Sequence, residues 1–304
     1  MKNRGGPDRL QAMNKNSLTL GTYCLILIIP IIFSSIAHGN ESSAIPSFYQ
    51  PLINRLLQDG FDSEFLSKLL TDSRAELNPE LMTISLDSRE TTELYTQFLS
   101  PESILLSKKF LGQNIKILKK MEKKFHAEKE VVVAILLVES RFGENIGKYR
   151  VIPTLASMAL IDSPDNLHKN YLILREIDPE LSYGWMEGLA KKKADWAYHE
   201  LKCFLKIIHH EEIDPLEIYG SYAGALGMPQ FIPSSYLAYA VMEKSFEKWL
   251  GSREEAIFSI GNYLKSHGWK KNLPIEKKKQ VLWYYNRSNP YVETILQVAQ
   301  KIRY

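Results

Sequence analysis

The run Val131-Val-Val-Ala-Ile-Leu-Leu-Val138, ending in Glu139-Ser-Arg-Phe-Gly143, constrains this chain more than any other stretch. Eight apolar residues in a row leave a helix no polar face, so such a helix is buried on most sides. A chain that holds one needs other helices packed around it. The carboxylate at its last turn is then partly desolvated and lies near the negative end of the helix dipole. Both effects raise its pKa. A carboxyl group kept protonated near neutral pH suits general acid catalysis. The same residues also allow a structural role, in which Glu139 pairs with Arg141 or caps the local turn.

The first 39 residues read as a leader rather than as part of the fold. Lys2, Arg4, Arg9 and Lys15 form a basic start, Cys24 to Phe33 an apolar core, and Ser34 to Gly39 a small-residue stretch suited to cleavage. The apolar core is short of the roughly 20 residues that span a bilayer. Thr22-Tyr23 precede Cys24, and the apolar run follows it, which argues against lipidation. The leader holds four basic side chains and one acidic one. The formal +3 of the whole chain therefore falls to zero once the leader is set aside. That balance argues against a nucleic-acid partner, which needs a basic face. Only Cys203 remains, so no internal disulfide can form. Export without disulfides is compatible with a bacterial periplasm. A periplasmic monomer with no stable membrane anchor is the expectation.

The rest of the pattern is mostly helical. Apolar residues recur at three- and four-residue spacing in 48–58 and 63–70. The stretch 73–100 is polar, with Pro79 and a β-like run at Leu81-Met-Thr-Ile-Ser85. Pro101 opens a long amphipathic helix to about Lys124, and the buried helix follows from about Lys129 to Phe142. A short helix is expected over 155–161, an insertion of short helices over 162–190, and a further helix over 194–209. Ser252 to His267 and Tyr291 to Ile302 are helical, with Glu254 and Glu255 suiting the first turn of the former. No long strand is expected.

Between Tyr219 and Tyr236 lies Gly-Ser-Tyr-Ala-Gly-Ala-Leu-Gly-Met-Pro-Gln-Phe-Ile-Pro, too rich in glycine and proline for a regular helix and too apolar for a loose linker. It reads either as a rigid loop that presents backbone groups to a ligand or as a tight core turn. Tyrosine and tryptophan recur from there to the C-terminus, and such rings suit sugars. Glu139 has no obvious carboxylate partner: Glu144 follows Gly143 in a turn and reads as a solvated charge. Glycosidases commonly use two carboxylates. A single one needs a nucleophile from elsewhere, such as the substrate. The histidines show no metal-ligand spacing, and nucleotide and serine-hydrolase motifs are absent.

Five blocks resemble, in order, the lytic murein transglycosylase B family of the lysozyme-like superfamily. They are Glu139-Ser-Arg-Phe-Gly, Gly147 to Ala156, Gly220 to Tyr236, Ile260 to Trp269 and Tyr285-Asn-Arg-Ser-Asn-Pro-Tyr291. The resemblance covers roughly residues 90–304. It implies a mostly α fold with a lysozyme-like catalytic core over 101–304, at most a small β element, and an N-terminal helical region over 40–100 packed on it. It implies cleavage of the β-1,4 bond between N-acetylmuramic acid and N-acetylglucosamine in peptidoglycan glycan strands. Glu139 would protonate the glycosidic oxygen and then act as base on the muramic acid C6 hydroxyl, closing a 1,6-anhydro ring. By the same resemblance Ser221 and Gln230 bond the sugar near the acid, and Tyr263 lines the groove. Tyr285, Asn286 and Tyr291 form a second wall, Lys192 and Lys193 a basic pair facing sugar or peptide, and Tyr95 an upstream groove tyrosine. The family often carries an aspartate-rich calcium loop. Here Val241 to Gly251 lacks the oxygen ligands such a site needs, so neither metal nor cofactor is expected. A muramidase that adds water to the same bond and a non-catalytic peptidoglycan-binding protein are the alternatives.

Overall fold

The computed structural model describes residues 46–87, 91–209, 211, 213–242 and 245–303. The expected leader and Cys24 lie outside them. In chain order the helices are α1 (Gln50–Gln58), α2 (Ser63–Leu70), α3 (Pro79–Asp87), α4 (Thr92–Tyr95), α5 (Pro101–Gln113), α6 (Ile115–Phe125) and α7 (Lys129–Ser140). A two-residue strand β1 (Tyr149–Arg150) precedes α8 (Val151–Ala159), α9 (Pro164–Ile177) and α10 (Tyr183–Ile208). Strand β2 (Tyr219–Gly220) is followed by α11 (Pro233–Tyr239), α12 (Phe246–Gly251), α13 (Arg253–Ser266), α14 (Ile275–Tyr285) and α15 (Asn289–Ile302). The fold is mostly α, and β1 pairs antiparallel with β2, Tyr149 opposite Gly220.

Side-chain caps set several helix starts. Asp62 accepts from the Phe65 amide at 2.7 Å, Ser100 from Ser103 at 3.2 Å, and Ser252 from Glu255 at 3.2 Å. Each satisfies one of the amides that a helix N-terminus leaves without an internal partner. Ser288 caps α15 in the same way, accepting from the Tyr291 amide at 3.3 Å, with Pro290 in the first turn.

The apolar run forms α7, and Val131 to Leu137 are at most 2% exposed. It is enclosed by α5, α6, α13 and α15. These helices, with α14, form one apolar core. A second core joins α1, α2, α8 and α10 with Leu226, Phe231 and Tyr236 of the glycine-rich segment. The N-terminal helices α1 and α2 thus share their core with residues far along the chain. A third, smaller cluster holds Met82, Leu86, Leu167, Leu174, Met186 and Ala190.

Three local expectations are corrected. Leu81 to Ser85 is helical, not β-like. Leu81, Met82, Ser85 and Leu86 are buried, the spacing of one helix face. The expected helix 101–124 is two helices. They part at Asn114, which is buried and donates through Nδ2 to the Phe110 carbonyl at 2.8 Å. Only the end of the inserted region joins the expected helix 194–209: α9 stands by itself, and α10 runs unbroken over 26 residues from Tyr183, with Met186, Ala190 and Ala194 packing one side.

Two glycines show what the turns demand. Gly147 has φ +98°, and a Cβ there would lie 1.9 Å from the Gly220 carbonyl oxygen. Only glycine fits where β1 and β2 meet. Gly188, exposed within α10, has nothing within 4 Å of an added Cβ. Urea unfolding should separate them. Gly147→Ala is expected to lose at least about 3 kcal/mol through strain and clash. Gly188→Ala should gain about 0.5–1 kcal/mol from helix propensity.

Candidate active site

Glu139 sits in the last turn of α7, partly buried, where the apolar run ends. The chain then turns sharply: Arg141 and Phe142 both take left-handed backbone, at φ +48° and +63°. Phe142 stacks on Phe110 of α5 at 4.2 Å, which fixes that turn. Arg141 pairs with Glu102 at 2.8 Å and with Glu144 at 3.1 Å. Glu144 has a side chain 64% exposed, as suits a solvated loop charge.

Glu139 Oε1 accepts a hydrogen bond from the Tyr291 hydroxyl at 2.6 Å. Tyr291 is 1% exposed. Burial, followed by the negative charge of Glu139, pushes its phenol well above the ordinary tyrosine value, so it remains a neutral donor. Tyr285 stacks beside it at 6.3 Å and donates to the Pro229 carbonyl at 2.6 Å. Burial, then Glu139, raises its phenol as well. Tyr263 meets Tyr285 edge-on at 4.8 Å, donates to the Tyr284 carbonyl at 2.7 Å, and stacks on His267 at 4.1 Å. Tyr95 meets the Tyr291 ring edge-on at 6.2 Å. The structure thus links Glu139, Tyr291, Tyr285, Tyr263 and Tyr95 into one contiguous group. Tyr95, Tyr263 and Tyr291 are buried, so they brace the site more than they surface it.

The glycine-rich segment closes one side. Ser140 is 1% exposed, and its hydroxyl donates to the Met228 carbonyl at 2.7 Å and accepts from the Gly143 amide at 3.0 Å. This ties the end of α7 to the loop. Ser221 Oγ accepts from the amides of Ala223 and Ala225 at 3.2 and 3.1 Å, which leaves its own hydroxyl proton to donate. Gln230, with φ +51°, donates through Nε2 to the carbonyls of Gly227 at 2.8 Å and Ile146 at 3.2 Å. Its Oε1 keeps acceptor capacity. Leu226 bridges both Gly220 and Phe231, so the segment is a rigid knot of short β contacts. Asn286 ends α14, and its carbonyl accepts from the Ser288 amide at 2.8 Å, just ahead of the α15 cap.

Lys192 and Lys193 are not among the residues linked above. They lie on α10, where burial lowers the pKa of Lys193. No hydrogen bond, ion pair or ring contact among the described residues joins them to the tyrosine group. Ser140 and Met228 are the positioning residues that sequence reasoning missed. The serine beside Glu139 was visible in the motif, but a bond to a backbone carbonyl 88 residues away leaves no trace in composition or period. Among the described residues no cluster of three or more His, Cys, Asp or Glu could hold a metal ion, and no helix is long and apolar enough to cross a membrane.

The raised phenols give a pH signature. A group whose pKa is higher in the folded state contributes stability below its unfolded pKa and loses it as pH rises above that value. Stability should therefore fall above the ordinary tyrosine value of about 10. Tyr291→Phe should flatten that fall by up to about 1.4 kcal/mol per pH unit. Chemical denaturation between about pH 9 and 11 checks this, since one titrating group is removed.

Residues 45–280 match the family described as the transglycosylase SLT domain. The membrane-bound lytic murein transglycosylase B of Escherichia coli K12 is 26% identical over a 249-residue alignment that covers 77% of this chain and 60% of that protein. The chain therefore spans less than two thirds of that curated relative. The soluble lytic transglycosylase SltB1 of Pseudomonas aeruginosa superimposes with a TM-score of 0.64 at 25% identity, over 84% of this chain and 98% of that one. SltB3 of Pseudomonas aeruginosa, solved in complex with NAG-anhNAM-pentapeptide, gives 0.64 at 20% identity, over 83% and 78% of the two chains.

Proposed function

The chain belongs to the transglycosylase SLT domain family, and from that premise we propose that it is a lytic transglycosylase of peptidoglycan. It breaks the β-1,4 bond between N-acetylmuramic acid and N-acetylglucosamine and releases a 1,6-anhydromuramic acid end. The observation that carries this reading is the Glu139–Tyr291 hydrogen bond at 2.6 Å, at the end of a buried helix and beside the Ser221–Gln230 loop. The likeness to relatives named as lytic transglycosylases supports it. So does a relative solved with an anhydro sugar bearing a pentapeptide.

Glu139 acts as the single acid and base. Its carboxyl proton passes to the glycosidic oxygen as the bond from that oxygen to muramic acid C1 breaks. The C6 hydroxyl oxygen of the same sugar then bonds to C1, and its proton returns to the Glu139 carboxylate. The proton count balances, no water is consumed, and the second carboxylate of other glycosidases is not needed. Tyr291 steadies the ionised state between the two transfers by donating to it, since a hydrogen bond to the charged form favours that form. Ser221 and Gln230 keep a donor and an acceptor for the sugar, and Asn286 and Tyr285 complete the sugar-binding surface, Tyr285 anchored to the same loop through the Pro229 carbonyl. The substrate is the glycan strand, and the leader pattern of the first 39 residues supports a periplasmic location for a monomeric enzyme.

Digestion of purified peptidoglycan, with the products weighed by mass spectrometry, tests the reading. The wild type should release muropeptides one water lighter than hydrolytic products. Glu139→Gln should lower the rate by roughly 10²–10⁴-fold, the range for a lost general acid. Undiminished anhydro release by that variant refutes the assignment, and products of full hydrolytic mass identify a muramidase.

A further inference from the structure

Glu200 is a buried carboxyl group that the chemistry proposed for Glu139 does not use. It lies in α10 at 2% exposure, and Ala197, Leu201 and Phe204 of the same helix are buried with it. A carboxyl group in such a place costs stability unless its oxygens are bonded. For packing alone, an apolar residue of similar volume often serves a core as well or better. Both oxygens of Glu200 go to one residue. Ser234 donates to Oε2 through its amide and to Oε1 through its hydroxyl, each at 2.8 Å.

Ser234 is the second residue of α11, and α11 opens where the glycine-rich segment ends. Ile232, at the cap position, makes no side-chain cap, and Pro233 has no N–H to satisfy. A helix of seven residues does not hold its own start. Glu200 therefore caps α11 from outside, across 34 residues of sequence, and fixes the end of the segment against α10. Just before that end stands Gln230, whose φ of +51° is left-handed. Such a backbone is costly for a residue with a side chain and persists only where its surroundings impose it. Tethers to other elements stand on both sides of Gln230. On one side the Pro229 carbonyl accepts from the Tyr285 hydroxyl at 2.6 Å. On the other, Phe231 is buried and Ser234 is held by Glu200.

We propose that Glu200 is a positioning residue for Gln230. By fixing the start of α11 it holds Gln230 in the backbone that aims its side-chain amide at the sugar. The proposal rests on the reading of Gln230 as a sugar-bonding residue. Glu200 acts through the chain between Gln230 and Ser234 and takes no part in bond cleavage.

Two substitutions separate the tether from simple packing. Glu200→Met keeps the volume and removes both acceptors. Glu200→Gln keeps the tether, since its Oε1 can accept from the Ser234 amide while Nε2 donates to the Ser234 hydroxyl oxygen. On soluble glycan strands Glu200→Met should lower kcat/KM roughly ten-fold, mostly through KM, and Glu200→Gln should stay within about two-fold of the wild type. In a Gln230→Ala background Glu200→Met should add less than about two-fold, because residues that act through one another are not additive. Amide hydrogen exchange, read without substrate, should quicken over 226–234 in Glu200→Met and stay unchanged in α7. Full activity of Glu200→Met, equal loss in the Met and Gln variants, or the whole ten-fold loss in the Gln230→Ala background overturns the proposal. If Glu200→Met does not fold, Ser234→Ala takes its place. It removes only the hydroxyl bond and should cost roughly three-fold, and a wild-type rate overturns the proposal. If Gln230→Ala cleaves nothing, unchanged exchange over 226–234 overturns it. Wild type that releases no anhydro product refutes the functional reading instead, and the exchange experiment still tests the tether.

Discussion

The hydrogen bond from Ser140 to the Met228 carbonyl is the joint on which the site depends. It connects the end of a helix buried in one apolar core to a loop that belongs to two. Met228 packs with the core around α7, while Leu226 and Phe231, two residues before it and three after, pack with the core around α8 and α10. A loop held from both sides has little freedom to move its backbone. The close approach of Gly147 to Gly220 removes more of that freedom at the loop's start. The groups around Glu139 are thereby placed by core packing rather than by their own contacts, which is how a fold pre-organises a site.

The tyrosine group works from the other side. Tyr291 stands at the third position of α15, where the Ser288 cap and Pro290 fix the helix start. Its ring is then clamped between Tyr285 and Tyr95. A phenol so buried resists ionisation, and the charge of Glu139 adds to that resistance. The physical result is a phenol that stays protonated and so keeps a proton to donate to Glu139. It also cannot rotate away without disturbing two neighbouring rings. The rings around it hold the pair in one geometry, which suits the acid and base role proposed for Glu139.

Much of this was legible in the sequence because it rests on local chemistry. The eight apolar residues before Glu139 read as a buried helix, and α7 is that helix. The serine, proline and acidic signals at residues 100–102, 252–255 and 288–290 mark true helix starts, because a cap acts within four residues. The glycine-rich segment was readable as rigid but not as a ligand-facing loop or a core turn. It packs into the core at Leu226 and Phe231, which are buried, and reaches solvent at Tyr222, which is 42% exposed. What was not legible depends on partners distant in sequence. Leu81 to Ser85 reads equally as strand or helix until the residues of α9 and α10 that cover it are known. Asn114 breaks a helix by bonding back to Phe110, a choice that pattern does not announce.

Lys192 and Lys193 owe their directions to a long helix. Their placement by resemblance relied on alignment across an inserted region, and the last residues of that region join the following helix in α10. A continuous helix fixes the direction of every side chain along it by the 3.6-residue period. Ala190 and Ala194 are buried against the third cluster, so the intervening lysines take the directions left over, one exposed and one half-buried. In α14 and α15 the same logic runs the other way. Tyr291, Ile295 and Val298 take the core face of α15, which turns Glu293 outward to meet Lys279. The outward face of α15 is thus built from residues that the core did not use, and it carries charge without weakening the packing that holds Glu139 in place.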